Sequence, residues 1–150
     1  MTIEELEAEA TELVLPAFDE TSALRLGAIL VDIALAEDLP VVIDIRTPDR
    51  TLFHAALPGA PPLNDLWARR KSNAALMFQQ SSLLIGLRNK AKGKTLEDEG
   101  LSPADHADHG GAVPIRVEGV GLVAVATVSG LPQVEDHKLV VRGIRMLLAG

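Results

Sequence analysis

The chain has 150 residues, 47% of them apolar and 23% charged, and no cysteine. That length fits one domain spanning residues 1–150 and is enough to bury a core without staples; disulfide scaffolds, thiolate metal sites and cysteine nucleophiles are excluded. Fourteen Lys and Arg against twenty-one Asp and Glu leave a net charge of −7, which repels nucleic acid and anionic lipid.

Thr2 is placed to cap a first helix, and Ile3, Leu6, Ala10 and Leu13 follow on one helical face. This acidic helix covers about 2–14, and Pro16 ends it. Asp19 caps the next helix, whose apolar stripe from Leu24 to Leu35 runs to about Asp38 before Pro40 stops it. Val41 to Arg46 is β-branched and reads as a strand. Thr47-Pro48-Asp49-Arg50 is turn chemistry, and Thr51 to Leu57 returns as the partner strand. Pro58-Gly59-Ala60-Pro61-Pro62 cannot join a sheet. Asn64 or Asp65 caps a helix to about Gln80, and another continues through the basic residues to about Gly93. Lys94 to Asp108 reads as loop, with a helical turn at Ser102-Pro103. A second hairpin follows, Val113 to Glu118 and Leu122 to Ser129, more apolar than the first and so central. Gln133 to Ala149 is the last helix. The pattern predicts an α+β fold: an antiparallel sheet built from two hairpins, with helices packed on it.

Seven acids and no base lie in residues 1–20, and seven bases and no acid in residues 69–94. Two readings follow: these segments face each other, within or between subunits, or the basic one forms an anion site. No aromatics interleave with the bases, so a nucleic-acid surface is not expected. No basic segment precedes an apolar run as in a signal peptide. The long uncharged stretch Gly119 to Val134 is short of the roughly 20 residues of a spanning helix. A soluble, cytoplasmic chain with no membrane partner is the expectation.

Few residues offer chemistry. His106 and His109 are three apart and, with His137 and a carboxylate, would form a divalent-metal site; a solvated polar loop is the alternative. Gly110-Gly111 permits close ligand approach and can present N–H groups to an anion, or simply marks entry to a strand. Ser129, Asp136 and His137 lack a Gly-x-Ser-x-Gly elbow, so serine hydrolysis is not read; Asp136 is assigned to the dipole of the last helix. Trp67 anchors a subunit contact or fills the core. Walker A and dinucleotide glycine patterns are absent.

Asp44-Ile45-Arg46, Leu52 to Gly59, Asn64-Asp65 with Trp67 and Arg70-Lys71, Ser81-Ser82, Lys92 to Thr95, His109-Gly110-Gly111 with Pro114-Ile115, Gly119 with Gly121, Val128 to Gln133 and Asp136-His137 occur in an order that resembles uncharacterised protein family 0303. The likeness covers roughly residues 15–149. That family is similar to the GlcG/HbpS-like group, which carries a haem-degrading label. The resemblance implies a profilin-like α/β/α sandwich and closed homo-oligomers, dimers or larger rings. It carries over no haem-ligand motif, although His54, His109 and His137 are chemically able to bind haem iron. Val113 replaces an aromatic and Ala124 a glycine of the family pattern, both at the second hairpin.

Three functions stay open. The first is a binding module for a small anionic or haem-like ligand, held by Arg46, His54, Trp67, Arg70, Lys71, His109, Gly110, Gly111, Ser129 and His137. Arginine would pair with carboxylates through its fork. The second is a metal- or histidine-dependent enzyme using His109 or His137. The third is an assembly protein with protein partners. Haem and a divalent metal are the cofactors considered.

Overall fold

A computed structural model describes all residues, Met1–Gly150. Thr2 Oγ1 accepts from the Glu5 N–H at 3.1 Å and starts α1 (Ile3–Glu12), with Glu4 and Glu5 favouring the positive end of the helix dipole. α1 stops short of the expected boundary because Val14–Leu15 form a short strand, β1. Two residues are too few for any periodicity to reveal. Asp19 and Ser22 form a reciprocal capping box for α2 (Glu20–Ala36). The first hairpin is β2 (Val42–Arg46) and β3 (Thr51–Ala56). α3 (Leu63–Phe78) begins directly after Pro62 with no side-chain cap, so neither Asn64 nor Asp65 caps it. α4 (Ser82–Lys92) is capped by Ser81, and a single 3₁₀ turn follows at Leu96–Glu99, ahead of the expected position. β4 (Ala112–Val117), β5 (Gly121–Ser129) and α5 (Gln133–Ala149) complete the chain.

The strands form one sheet in the order β1-β4-β5-β2-β3. Both hairpins are antiparallel, and β5 also pairs antiparallel with β2, joining them. β1 runs parallel to β4, so the sheet is mixed at that edge rather than wholly antiparallel. α2 and α5 cover one face, where Leu26, Leu30, Ile43, Ile45, Ile115, Val140 and Ile144 make the main core. α3 covers the other face, where its Ala75 packs on the smaller residues Ala112 and Val125. The result is the expected α/β/α sandwich.

The two charged segments meet within one chain. α1 lies on α4, with Leu6 against Leu83 and Leu84, and Glu7 pairs with Arg88 at 2.6 Å. Glu12 reaches Arg145 at 3.2 Å. No helix is long and apolar enough to cross a membrane.

Candidate functional site

Asn64, Trp67 and Lys71 are spaced three and four apart on α3, so they share one helical face. That face meets the end of β5 and the start of α5 across a cleft of about 230 Å³, lined also by His109, Ser129, Gly130, Gln133 and Asp136. At its base Lys71 and Asp136 are 4% and 1% exposed. Lys71 Nζ donates to Asp136 Oδ2 at 3.0 Å and to the Val128 carbonyl at 3.4 Å. Asp136 also accepts from the Leu131 N–H at 2.9 Å and the Gly130 N–H at 3.3 Å. Burial pushes the Lys71 amine down against the pull of Asp136, and pushes the Asp136 carboxyl up against Lys71 and the two N–H donors.

Two glycines make this packing feasible. Gly111 has φ +140°, and a Cβ there would stand 2.8 Å from Lys71 Nζ and 2.4 Å from the Val128 oxygen. Gly130 has φ +146°, and a Cβ there would approach the Asn64 amide at 3.0 Å and the Pro40 oxygen at 2.7 Å. Gly110 donates its N–H to Gln133 Oε1 at 2.9 Å, tying the glycine loop to α5. The Trp67 ring carries the Arg70 guanidinium at 4.5 Å and meets the His109 ring at 5.0 Å, tilted by 48°. Arg70 is held by the Pro103 carbonyl at 2.9 Å. The aromatic wall is therefore clamped from its own chain.

The family model described as "Haem degrading protein HbpS-like" matches residues 18–145. The chain belongs to that family. A UPF0303 protein of Streptomyces avermitilis is 48% identical over 148 residues, covering 98% of this chain and 91% of the relative. One from Burkholderia thailandensis is 45% identical, covering 96% and 88%. Among solved structures, the Ybr137w protein superposes with a TM-score of 0.90 at 32% identity, covering 99% of this chain and 88% of that one. HbpS of Streptomyces reticuli, as a double mutant, gives 0.72 at 22% identity, covering 87% and 86%. A PduOC:Heme complex gives 0.71 at 18% identity, covering 86% and 94%. The last two show that this HbpS-like chain has the fold of those proteins, the profilin-like sandwich.

The structure divides the ligand-binding residues expected from sequence into three groups. Trp67, Lys71, His109 and Ser129 line the cleft, with Arg70, Gly110 and Gly111 supporting it. Arg46 and His54 lie apart, beside Ala68 and Arg69, in an open cleft of about 400 Å³. There His54 Nδ1 is 2.9 Å from Asp44 and Nε2 is 2.7 Å from Asp65, so both ring nitrogens are taken. Partial burial lowers the His54 pKa, but the two carboxylates outweigh it and leave it raised. Arg46 is bonded to Asn73 at 3.2 Å. His137 is 1% exposed, turned away from the cleft, with Nε2 against Glu9 of α1 at 2.6 Å.

His106 folds back on its own turn, with Nδ1 3.1 Å from the Ser102 carbonyl. No group of three or more His, Asp or Glu side chains is arranged to hold a metal. Asp136 lies in the first turn of α5, where its charge suits the helix dipole as the sequence implies, and it also turns back to the Gly130-Leu131 backbone and to Lys71. Asn64, Gly130, Leu131, Gln133 and Asp136 are the lining residues that sequence reasoning did not place here. The stripe of Asn64, Trp67 and Lys71 was the available signal.

Proposed function

We propose that this chain is a binding protein for a small, acceptor-rich organic anion, held in the cleft between α3 and α5. One observation carries the reading. Asn64, Trp67, His109 and Ser129 bring to one cleft polar groups that the chain's own hydrogen bonds do not use, beside a lysine with a third N–H to spare. Each of these side chains can donate, and with the spare Lys71 N–H they suit a carboxylate or carbonyl oxygen. Asp136 already offsets the Lys71 charge, so these neutral donors supply the recognition. Enclosed sites for larger ligands run from roughly 300 to 1,000 Å³. At about 230 Å³ the cleft is sized for a small acid, and a tetrapyrrole would have to extend beyond it. His109 offers an imidazole, but its ring is packed against Trp67.

Trp67 is the only tryptophan, so its fluorescence reports the cleft directly. Titration with pyruvate, succinate and inorganic phosphate, and separately with haem, tests the reading. A saturable change with a small acid, weakened at least about tenfold by a paired Asn64→Ala, Ser129→Ala change, supports it; each tenfold is about 1.4 kcal/mol of lost hydrogen bonding. Binding of haem alone, or of no probe, overturns it.

Self-association in a cytoplasmic setting belongs to the same proposal. β3 has only one neighbour in the sheet, so one row of its backbone groups is free. Beside it α2 exposes Leu24 and Leu35, 58% and 52% accessible. A second copy related by a twofold would pair both features. Native mass spectrometry should return a multiple of the chain mass that Leu24→Glu with Leu35→Glu reduces. A monomer at all concentrations removes this part.

A further inference from the structure

We propose that Lys71 forms an imine with the carbonyl carbon of a small 2-oxo acid bound in the cleft. This rests on the ligand reading above and adds a covalent step to it.

The geometry around Nζ is the argument. Lys71 reaches the cleft from α3, and Gly111 puts no side chain against Nζ, where a Cβ would stand at 2.8 Å. A protonated imine keeps one N–H and one positive charge. The short bond to Asp136, 3.0 Å, is the one that N–H would retain. The contact given up is the long one, 3.4 Å to the Val128 carbonyl. Asp136 holds its orientation throughout, because the Gly130 and Leu131 N–H groups fix it independently of Lys71. Burial holds the amine below its ordinary value and so favours the uncharged, nucleophilic form. Asn64 and Ser129 remain to take the carboxylate of the same molecule.

The step balances without any oxidant. The Lys71 ammonium passes one proton to Asp136, and the freed lone pair attacks the carbonyl carbon. The C=O pair moves to oxygen, which takes the proton back from Asp136 and gives a carbinolamine. A second nitrogen-bound proton moves to that hydroxyl, again through Asp136. The C–O bond breaks, water leaves and the C=N bond forms. Ammonium plus ketone thus becomes iminium plus water.

Pyruvate is the probe, and sodium borohydride reduces any imine to a stable secondary amine. Peptide mass mapping then locates the adduct among Lys71, Lys90, Lys92, Lys94, Lys138 and the Met1 amine. The expected result is labelling concentrated on Lys71, the one buried lysine, and lost in Lys71→Arg, which keeps a cation for Asp136. Propionate, which lacks the 2-oxo group, should compete without leaving an adduct. If Lys71→Arg does not fold, the wild-type map decides alone. Labelling spread over the exposed amines overturns the proposal. Trp67 quenching by pyruvate with no adduct on Lys71 overturns the imine and leaves the binding reading standing; no quenching and no adduct overturns both.

Discussion

Toward α2 and α5, strands β2 and β5 present Ile43, Ile45, Ala124, Ala126 and Val128; toward α3 the same strands present Asp44, Val125, Thr127 and Ser129. Alternation along each strand makes this division, since neighbouring side chains point to opposite faces. Both sets are buried, yet the first is aliphatic throughout and three of the four in the second are polar. The α3 side also holds Lys71, Ser72 and Asp136 within it. One face has large side chains in close contact, which supply most of the hydrophobic stabilisation. The other uses small residues and hydrogen bonds, which leave space and directed donors. The division shows how one β-strand serves stability on one side and chemistry on the other.

The largest effects should come from the charged pair on the α3 side. Asp136→Asn keeps an oxygen for only one of the Gly130 and Leu131 N–H groups, which bond different carboxylate oxygens, and leaves Lys71 without its counter-ion. Breaking a buried pair in this way costs about 3–5 kcal/mol. Lys71→Met is expected to cost less, because the carboxylate retains two backbone donors while the ammonium would retain only the 3.4 Å contact with Val128. Lys71→Met with Asp136→Asn should recover much of the loss, since no buried charge remains. Urea unfolding of the three variants checks the order. Equal losses in both single variants would mean that the backbone donors contribute little.

That pair also marks what the sequence made legible. The β-branched run Val41 to Arg46 and the alternation in Val113 to Glu118 expose the two hairpins, and the Pro and Gly punctuation bounds the last helix at Gln133. β1 escapes because its two residues pair with a strand about a hundred positions away. Lys71 is singled out from sequence as a basic residue, but its partner lies 65 positions on and no spacing connects them. Asp136 near a helix start invites a dipole reading, and only the packing of α3 against β5 shows that it turns back. The histidines mislead for a related reason. His54 and His137 are each drawn to carboxylates outside the cleft, and those contacts depend on how elements dock.

His54 supplies a smaller and pH-dependent effect on the same polar side. Its raised pKa means the folded protein holds the imidazolium more tightly than the unfolded chain, whose value is 6.5. The contribution is therefore complete below that value and is lost as pH rises through the folded pKa. His54 is 40% exposed and solvent screens it, so the contribution is under about 1 kcal/mol. The urea midpoint should fall across this window in the wild type, and the step should vanish in His54→Gln. A step that persists in the variant would assign it to another group.

Thr127→Val should have the smallest effect and the most informative sign. Thr127 is fully buried, and its Oγ1 has no hydrogen-bond partner. Valine has nearly the same shape and lacks the hydroxyl, so the change removes an uncompensated polar atom while keeping the packing. Leaving a buried polar group unpaired costs about 1–3 kcal/mol, and relieving it should stabilise the fold by up to that amount. On the opposite face Ile45→Val, an equally conservative change, should destabilise by about 0.5–1.5 kcal/mol, because it deletes a methylene from the main core. Opposite signs from two such changes on the same sheet would establish that the α3 side gives up stability for its polar character. Thermal unfolding of both variants measures this. If Thr127→Val destabilises instead, the hydroxyl has a partner in solution, and an ordered water between the sheet and α3 becomes part of the polar layer beneath the cleft.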